Sequence, residues 1–535
     1  MMCPMHPLRA LTALLGLLLA LPASAADEGA ETIASFRKFF ARAEQPHQRY
    51  EAVLVLAGLN RLDAAEAMLP ALGDDDFSVR QAAVGVMGRY TREEIGHWLV
   101  DVVLADKKLS KKPALHASVI EVLGLMGQPF AFDACLAALG EKDVPLRLAA
   151  MGALGRLRNA EACPALSAVV LEGDGALALA ALDALSEIGS ASGAEAAVVA
   201  AMRHEDWTVR ARAIEAVVAL RLKAGVGPLI ERMELEEGRL RGDAYEALKH
   251  CTTWNLGPDP AAWRAWWEKR EATFIMPDPE KIKAALDKAK TTGDTRMAVQ
   301  KTFGEKQFLT ISTRSENMVF VIDVSGSMDI PFGDPERLKM TGRTYASLQR
   351  LAIVKDELIT TINDLSDTTS FNIVAFATDV KSWKKQPVRA NILSKAEACE
   401  WVRKLQPLGV TKGGTAFEVA TGMRNEEQTE GATNIYLAMM TALGEDAEDY
   451  GKPRTGSGEY VTETRSDDYD TIFFLTDGEP TVGKTVDMLE IRREVQRVNA
   501  YRGAQIHVIF VGEFGGEEFQ HLAAENQGVF VRIGG

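Results

Sequence analysis

Four segments in the first half of the chain follow one pattern: DDDFSVRQAAVGVMG at 74–88, EKDVPLRLAAMGALG at 141–155, HEDWTVRARAIEAVV at 204–218 and EEGRLRGDAYEAL at 236–248. Acidic residues come first, then an apolar residue, an arginine and an Ala-containing amphipathic helix. The arginines are Arg80, Arg147, Arg210 and Arg241, spaced by 67, 63 and 31 residues, so one unit is a little over 30 residues long. Segments 112–124 and 173–189 fill the two gaps without the arginine. A helical hairpin of this length cannot bury its apolar face alone and must stack on its neighbours. The spacing therefore predicts an all-α solenoid of about six units over residues 46–274.

The D-x-x-V-R-x-x-A core at Asp76, Val79, Arg80 and Ala83, repeated at Asp206, Val209, Arg210 and Ala213, resembles HEAT repeats. The acidic residue can cap a helix and the arginine can tie neighbouring units, so both read as architectural rather than catalytic. The array ends at WNLGPDPAAWRAWWEKRE, 254–271, where Trp263, Trp266 and Trp267 share one helical face. Such a cluster is either a binding patch or a cap sealing the last repeat, and stacked arrays need caps. Pro277 and Pro279 then mark a break, and residues 275–314 read as linker.

From 315 onward the periodicity changes. Met318–Ile322 is a short apolar run, followed by a helical pattern with Leu351, Val354, Leu358, Ile362 and Leu365 on one face. FNIVAF (371–376), TIFFLT (471–476), IHVIFVG (506–512) and GVFVRI (528–533) follow, with helical patterns near 394–405 and 486–501. Strands apolar throughout are buried on both faces, which predicts a mostly parallel α/β sheet covered by helices over 315–535. Such sheets place ligands beyond the carboxyl ends of their strands.

At one such end stand Asp323, Ser325 and Ser327; at another stand Thr476, Asp477 and Gly478; and Thr433 lies at a loop-to-helix junction. These donors are all oxygens, which suits a hard octahedral ion, Mg2+ or Mn2+. No Cys or His stands among them, which disfavours zinc. Few carboxylates face the ion, so it keeps electrophilic charge and takes an acidic group from a partner to complete its shell. The structural alternative is that Asp323 and Asp477 merely bond turns and helix ends.

The pattern D-x-S-x-S…T…D at Asp323, Ser325, Ser327, Thr433 and Asp477, with VFVIDVSGSM, FNIVAFATDV, GATNI and FFLTDGEPTVG around it, resembles the von Willebrand factor type A domain and its metal-ion-dependent adhesion site. The resemblance implies a Rossmann-like fold, divalent metal binding and protein–protein adhesion. Three segments depart from the pattern: 329–346, 409–431 and 444–468. Within the second, GGT at 413–415 makes Thr415 a rival to Thr433. Thr433 is preferred because Asn434, Ile435 and an apolar helix follow it.

Arg9, the apolar run Leu11–Leu21 and Ala23-Ser24-Ala25 read as a secretory signal over 1–25, followed by a lead-in over 26–45. The mature chain is then expected in the periplasm or outside the cell. An Ala- and Leu-rich signal suits a bacterium. Cys135, Cys163, Cys251 and Cys399 are too scattered for a disulfide framework and read as buried small residues, Cys135 with Cys163 being the one pair to test. Asp plus Glu number 75 against 60 Lys plus Arg, a balance that argues against nucleic acid as main partner. The leading reading is a non-enzymatic interaction protein that grips a carboxylate-bearing protein partner through metal, with the solenoid as a second surface. The alternatives are a Mg2+-dependent hydrolase or a repeat-based lyase. No phosphate-binding G-x-x-x-x-G-K-[ST] loop is present, and His507 falls inside a strand.

Overall fold

The computed structural model describes residues 25–106, 108, 112–284, 306–308, 311–332, 345–408, 431–445, 469–512 and 515–533. The expected signal up to Ser24, Thr415 and most of the segments 329–346, 409–431 and 444–468 lie outside them. The chain divides into two compact units, one ending at Leu157 and the other starting at Arg158. That division falls inside the span 46–274 expected as one array, because the later repeats are bonded to the sheet that follows them.

In the first unit Leu62–Leu72 packs on Phe77–Met87, and Pro113–Met126 packs on Val144–Leu157. Apolar residues at helical spacing face inward, and Met68, Leu72, Val79, Met87, Ile120 and Leu123 are fully buried. At Gly124 the second pair approaches so closely that a Cβ would lie 2.6 Å from Ala153 Cα, so only glycine fits.

In three of the four segments an acidic residue is an N-cap, whereas Glu237 of the fourth makes no side-chain cap bond. The Asp76 carboxylate accepts from the N–H groups of Ser78 at 2.9 Å and Val79 at 3.3 Å, and Asp206 accepts from Thr208 N–H at 2.8 Å. Asp143 and Asp174 do the same for Leu146 and Leu177, both at 3.0 Å. Asp76→Ala is expected to lower stability by about 1 kcal/mol, read as a lower urea midpoint at unchanged slope. An unchanged midpoint would mean that water serves these N–H groups equally well.

Arg210 shows what the repeated arginine does. Its guanidinium donates to the carbonyls of His204 and Glu205, both at 2.8 Å, and holds Glu236 of the next unit in a fork at 2.7 and 3.2 Å. Arg49 is built the same way. It bonds the carbonyls of Ala43 at 3.2 Å and Glu44 at 3.0 Å behind it, and both oxygens of Asp74 ahead at 2.8 Å. Arg49 precedes Arg80 by 31 residues, so the arginine pattern begins one unit earlier than the four quoted segments. Gln45 and Gln48 hide it, standing where other copies carry the acidic cap and the apolar residue.

The second unit continues with helices Cys163–Leu171, Gly175–Ile188, Glu195–Ala201, Trp207–Ala219, Val226–Leu235 and Gly238–Thr252. Helix Pro260–Glu268 packs on Val226–Leu235 and brings Trp263, Trp266 and Trp267 into the interior, all buried. Trp263 Nε1 donates to Gly257 O at 2.8 Å. The three rings thus pack inward against the preceding helix. Cys135, Cys163, Cys251 and Cys399 are buried, free thiols.

The stretch expected as linker ends in a hairpin of β1 (Lys306–Phe308) and β2 (Ile311–Thr313). Strands of three residues carry no readable period, yet Phe308 packs into the core on Phe320 and Phe473. The main sheet comprises β3 (Asn317–Asp323), β4 (Ser370–Phe376), β5 (Val380–Ser382), β6 (Val388–Arg389), β7 (Thr471–Thr476), β8 (Gln505–Val511) and β9 (Phe530–Ile533). Its order is β5-β4-β3-β7-β8-β9, with β6 also on β4. β4, β3, β7, β8 and β9 are parallel, and the antiparallel β5 and β6 finish one edge.

Alternate residues of β3 face opposite cores. Met318, Phe320 and Ile322 pack with helices Arg350–Asp364 and Ile392–Lys404. Val319 and Val321 pack with Ile435–Ala442, Met488–Arg502 and Glu517–Glu525. This doubly covered parallel sheet is the Rossmann-like arrangement expected, and it sets the carboxyl ends of β3, β4 and β7 side by side. His507, central in β8, is buried against Phe473, as its place inside an apolar strand implies.

Candidate metal centre

β3 delivers Asp323 to the rim, and the chain turns at once. Val324 N–H donates to Phe376 O at 2.8 Å, and Ser325 N–H donates to the Asp323 carboxylate at 2.8 Å. A short 3-10 turn, Gly326–Asp329, then carries Ser327 back over the strand end. The other Asp323 oxygen accepts from the Thr476 hydroxyl at 2.7 Å, which joins the ends of β3 and β7. Asp323 is fully buried.

One residue beyond Thr476 lies Asp477. The Ser325 and Ser327 hydroxyls are 3.1 Å apart, and Ser327 Oγ donates to one Asp477 oxygen at 2.6 Å. The structure thus joins Asp323, Ser325, Ser327 and Asp477 through one run of hydrogen bonds. Thr433 is buried on the neighbouring loop, but its hydroxyl makes no hydrogen bond among the described residues. Its backbone is pinned instead: Thr433 N–H donates to the Thr481 hydroxyl at 2.8 Å, and Thr433 O accepts from Thr481 N–H at 2.9 Å. Two residues earlier, Gly431 O accepts from Gly326 N–H at 3.1 Å, which ties the Thr433 loop to the serine loop. The rival Thr415 lies outside the described residues.

Burial, and then the neighbouring Asp477, push the Asp323 carboxyl well above the usual carboxylate range. Hydrogen bonds from Ser325 and Thr476 pull the other way without cancelling this. The protein therefore holds two carboxylates together at a cost that a cation among them would relieve. Hydroxyls supply the remaining oxygens. Among the described residues, no group of three or more His, Cys, Asp or Glu is placed to hold a metal. A low-charge, all-oxygen donor set fits a hard divalent cation and does not fit zinc.

Sequence reasoning did not find Arg350. Its Nη1 donates to the second Asp477 oxygen at 2.7 Å, and the Asp477 side chain is 0% exposed. A signal for it exists. Arg350 opens helix Arg350–Asp364, and a cation at a helix N-terminus opposes the macrodipole unless a carboxylate meets it.

Two family models match the chain: HEAT repeats over residues 106–186, and the von Willebrand factor type A domain over residues 344–449. The inter-alpha-trypsin inhibitor heavy chain H4 of Bos taurus is 30% identical over 229 residues, 42% of this chain and 19% of that protein. The heavy chain H1 of Mesocricetus auratus is 29% identical over 193 residues, 36% of this chain and 15% of that protein. The chain thus spans 19% or less of the length of these two relatives. A solved structure, a von Willebrand factor type A protein from Catenulispora acidiphila, is similar at 18% identity and a TM-score of 0.26, over 42% of this chain and 39% of that one. Among the described residues no helix is long and apolar enough to cross a membrane. The chain carries HEAT repeats and, C-terminal to them, a von Willebrand factor type A domain.

Proposed function

We propose that the C-terminal domain holds Mg2+ or Mn2+ among Asp323, Ser325, Ser327, Thr433 and Asp477, and that the protein is a metal-dependent, non-enzymatic interaction scaffold. The ion would supply a positive centre that an acidic side chain of a protein partner completes. The repeats would offer a second binding surface, and residues 1–25 would direct export to the periplasm or beyond. The supporting observation is the hydrogen-bonded run Ser325–Ser327–Asp477 beside the buried Asp323. It gathers oxygens from two strand ends, and its two carboxylates lie close enough to raise the Asp323 pKa. The inter-alpha-trypsin inhibitor heavy chains share part of the sequence. Their names describe those proteins, and the partner of this chain is defined here only by its carboxylate.

Calorimetric titration of Mg2+ and Mn2+ into the mature protein tests the reading. The intact protein is expected to bind one ion, and Asp323→Ala to bind at least about tenfold more weakly, since a lost ligand costs upward of 1.4 kcal/mol. Thr433→Ala and Thr415→Ala decide between the two threonines: the one that completes the site weakens binding and the other does not. If the intact protein takes up no ion of either kind, the reading fails.

A further inference from the structure

Arg350 is an unusual resident for a cation site. Its side chain is 18% exposed and the Asp477 side chain it bonds is 0% exposed, so the pair is shielded from solvent. The contact runs through Nη1 to one Asp477 oxygen, and Ser327 bonds the other. Arg350 Nε is buried without a hydrogen-bond partner among the described residues, and the guanidinium lies over the Phe332 ring at 5.9 Å. A two-pronged arginine–carboxylate fork would be the stronger arrangement. Among the described residues the guanidinium is therefore held at Asp477 by one bond, at a helix end that disfavours it, with no partner for Nε.

We propose that Arg350 is a built-in counter-cation of this site: it competes with the divalent ion for Asp477 and sets the ion concentration at which the site fills. The inference rests on the metal reading above. Without metal, the guanidinium neutralises one of the two buried carboxylates. With metal, Asp477 must be shared or surrendered, and a fixed positive charge remains at the rim. That charge also suits an acidic partner, since a loaded site with Arg350 beside it is more positive than one without.

The competition has a readable size. Removing a guanidinium bonded directly to a ligand carboxylate is expected to raise the affinity for a metal cation by about tenfold, equivalent to about 1.4 kcal/mol.

The experiment is titration of Mn2+ alone into the full mature protein and its variants, by calorimetry, with thermal unfolding in chelator beside it. Arg350→Gln is expected to bind Mn2+ about tenfold more tightly than the intact protein and to melt lower in chelator. Arg350→Lys keeps the charge and is expected to bind within about threefold of the intact protein. Arg350→Met keeps the stem against Phe332 and replaces the glutamine variant if that one does not fold. Binding by the intact protein that is equal or weaker in the uncharged variant would overturn the competition and leave the metal site standing. No binding by either protein would overturn both.

Discussion

Arg239→Ala is expected to lower the stability of the second unit by about 3–5 kcal/mol. Arg239 lies on helix Gly238–Thr252 of the repeats and is 6% exposed. Its Nη1 donates to the carbonyls of Asp470 at 2.8 Å and Gly503 at 2.6 Å, and Nη2 donates to Gln527 Oε1 at 3.2 Å. Those three residues lie just before β7, β8 and β9. One guanidinium thus gathers the amino ends of three parallel strands onto the last repeats. It also pairs with Asp243 at 3.2 Å and lies over the Trp207 ring at 5.8 Å. Alanine would strip Asp243 of this ion pair and leave two shielded carbonyls without their donor, and each such loss costs about 1–3 kcal/mol. Arg239→Lys would recover only part, because an ammonium cannot serve diverging carbonyls as a planar fork does. Urea unfolding of intact protein and variants gives the answer. The clasp stands at the amino ends of the strands and Asp323 at the carboxyl end of β3, so a folded Arg239 variant should bind Mn2+ unchanged. A loss below about 1 kcal/mol would mean that other contacts, such as Arg314 packed over Gly242, hold the repeats to the sheet.

Arg239 was not readable as such a clasp, and the reason is general. It stands two residues before Arg241, the arginine that the repeat pattern picks out, and in sequence it looks like one more surface charge on a helix. Its three partners at the strand ends are 231 to 288 residues away, so only the assembled fold reveals the clasp. Arg350 is hidden in the same way, 127 residues from Asp477. What could be read is what local chemistry dictates. β3, β4, β7 and β8 are apolar runs too dense for a surface strand, and Leu351, Val354, Leu358 and Ile362 mark helix Arg350–Asp364 by spacing alone. Asp323, Ser325 and Ser327 are legible together because one turn carries all three. Helix Glu517–Glu525 is not, since its nine residues follow two glycines and bury only Phe519, Leu522 and Ala523. A helix that short gives its period fewer than three turns in which to appear.

Lowering the pH from about 6.5 to 4 is expected to remove about 3 kcal/mol from the intact protein relative to His507→Phe. Burial, with the Arg239 guanidinium adding to it, pushes the His507 imidazole down to about 4 from its ordinary 6.5. Hydrogen bonding gives the same direction independently. Val529 N–H donates to His507 Nδ1 at 3.0 Å, so that nitrogen must stay an acceptor. Nε2 carries the proton and is buried without a hydrogen-bond partner among the described residues. An imidazolium would have to face a donor with a second N–H, next to a guanidinium, against the Phe473 ring. The unfolded chain takes up this proton near pH 6.5 and the folded chain only near 4. The stability carried by neutral His507 is therefore complete above about pH 6.5 and drains away as the pH falls to 4. The intact protein alone would not display this, because burial raises the carboxyls of Asp183 and Asp243 to about 6 and that of Asp323 further still. Those groups stabilise the fold as they become protonated, in the same window and with opposite sign. Phenylalanine keeps the ring on Phe473 and removes the titration. Its loss of the Val529 bond is a constant offset of about 1–3 kcal/mol at every pH. The quantity to measure is thus the difference between the two urea-stability curves across pH 4–7.5. Parallel curves would mean that His507 reaches water before it protonates, and that the strand end beside Val529 opens without loss of the fold.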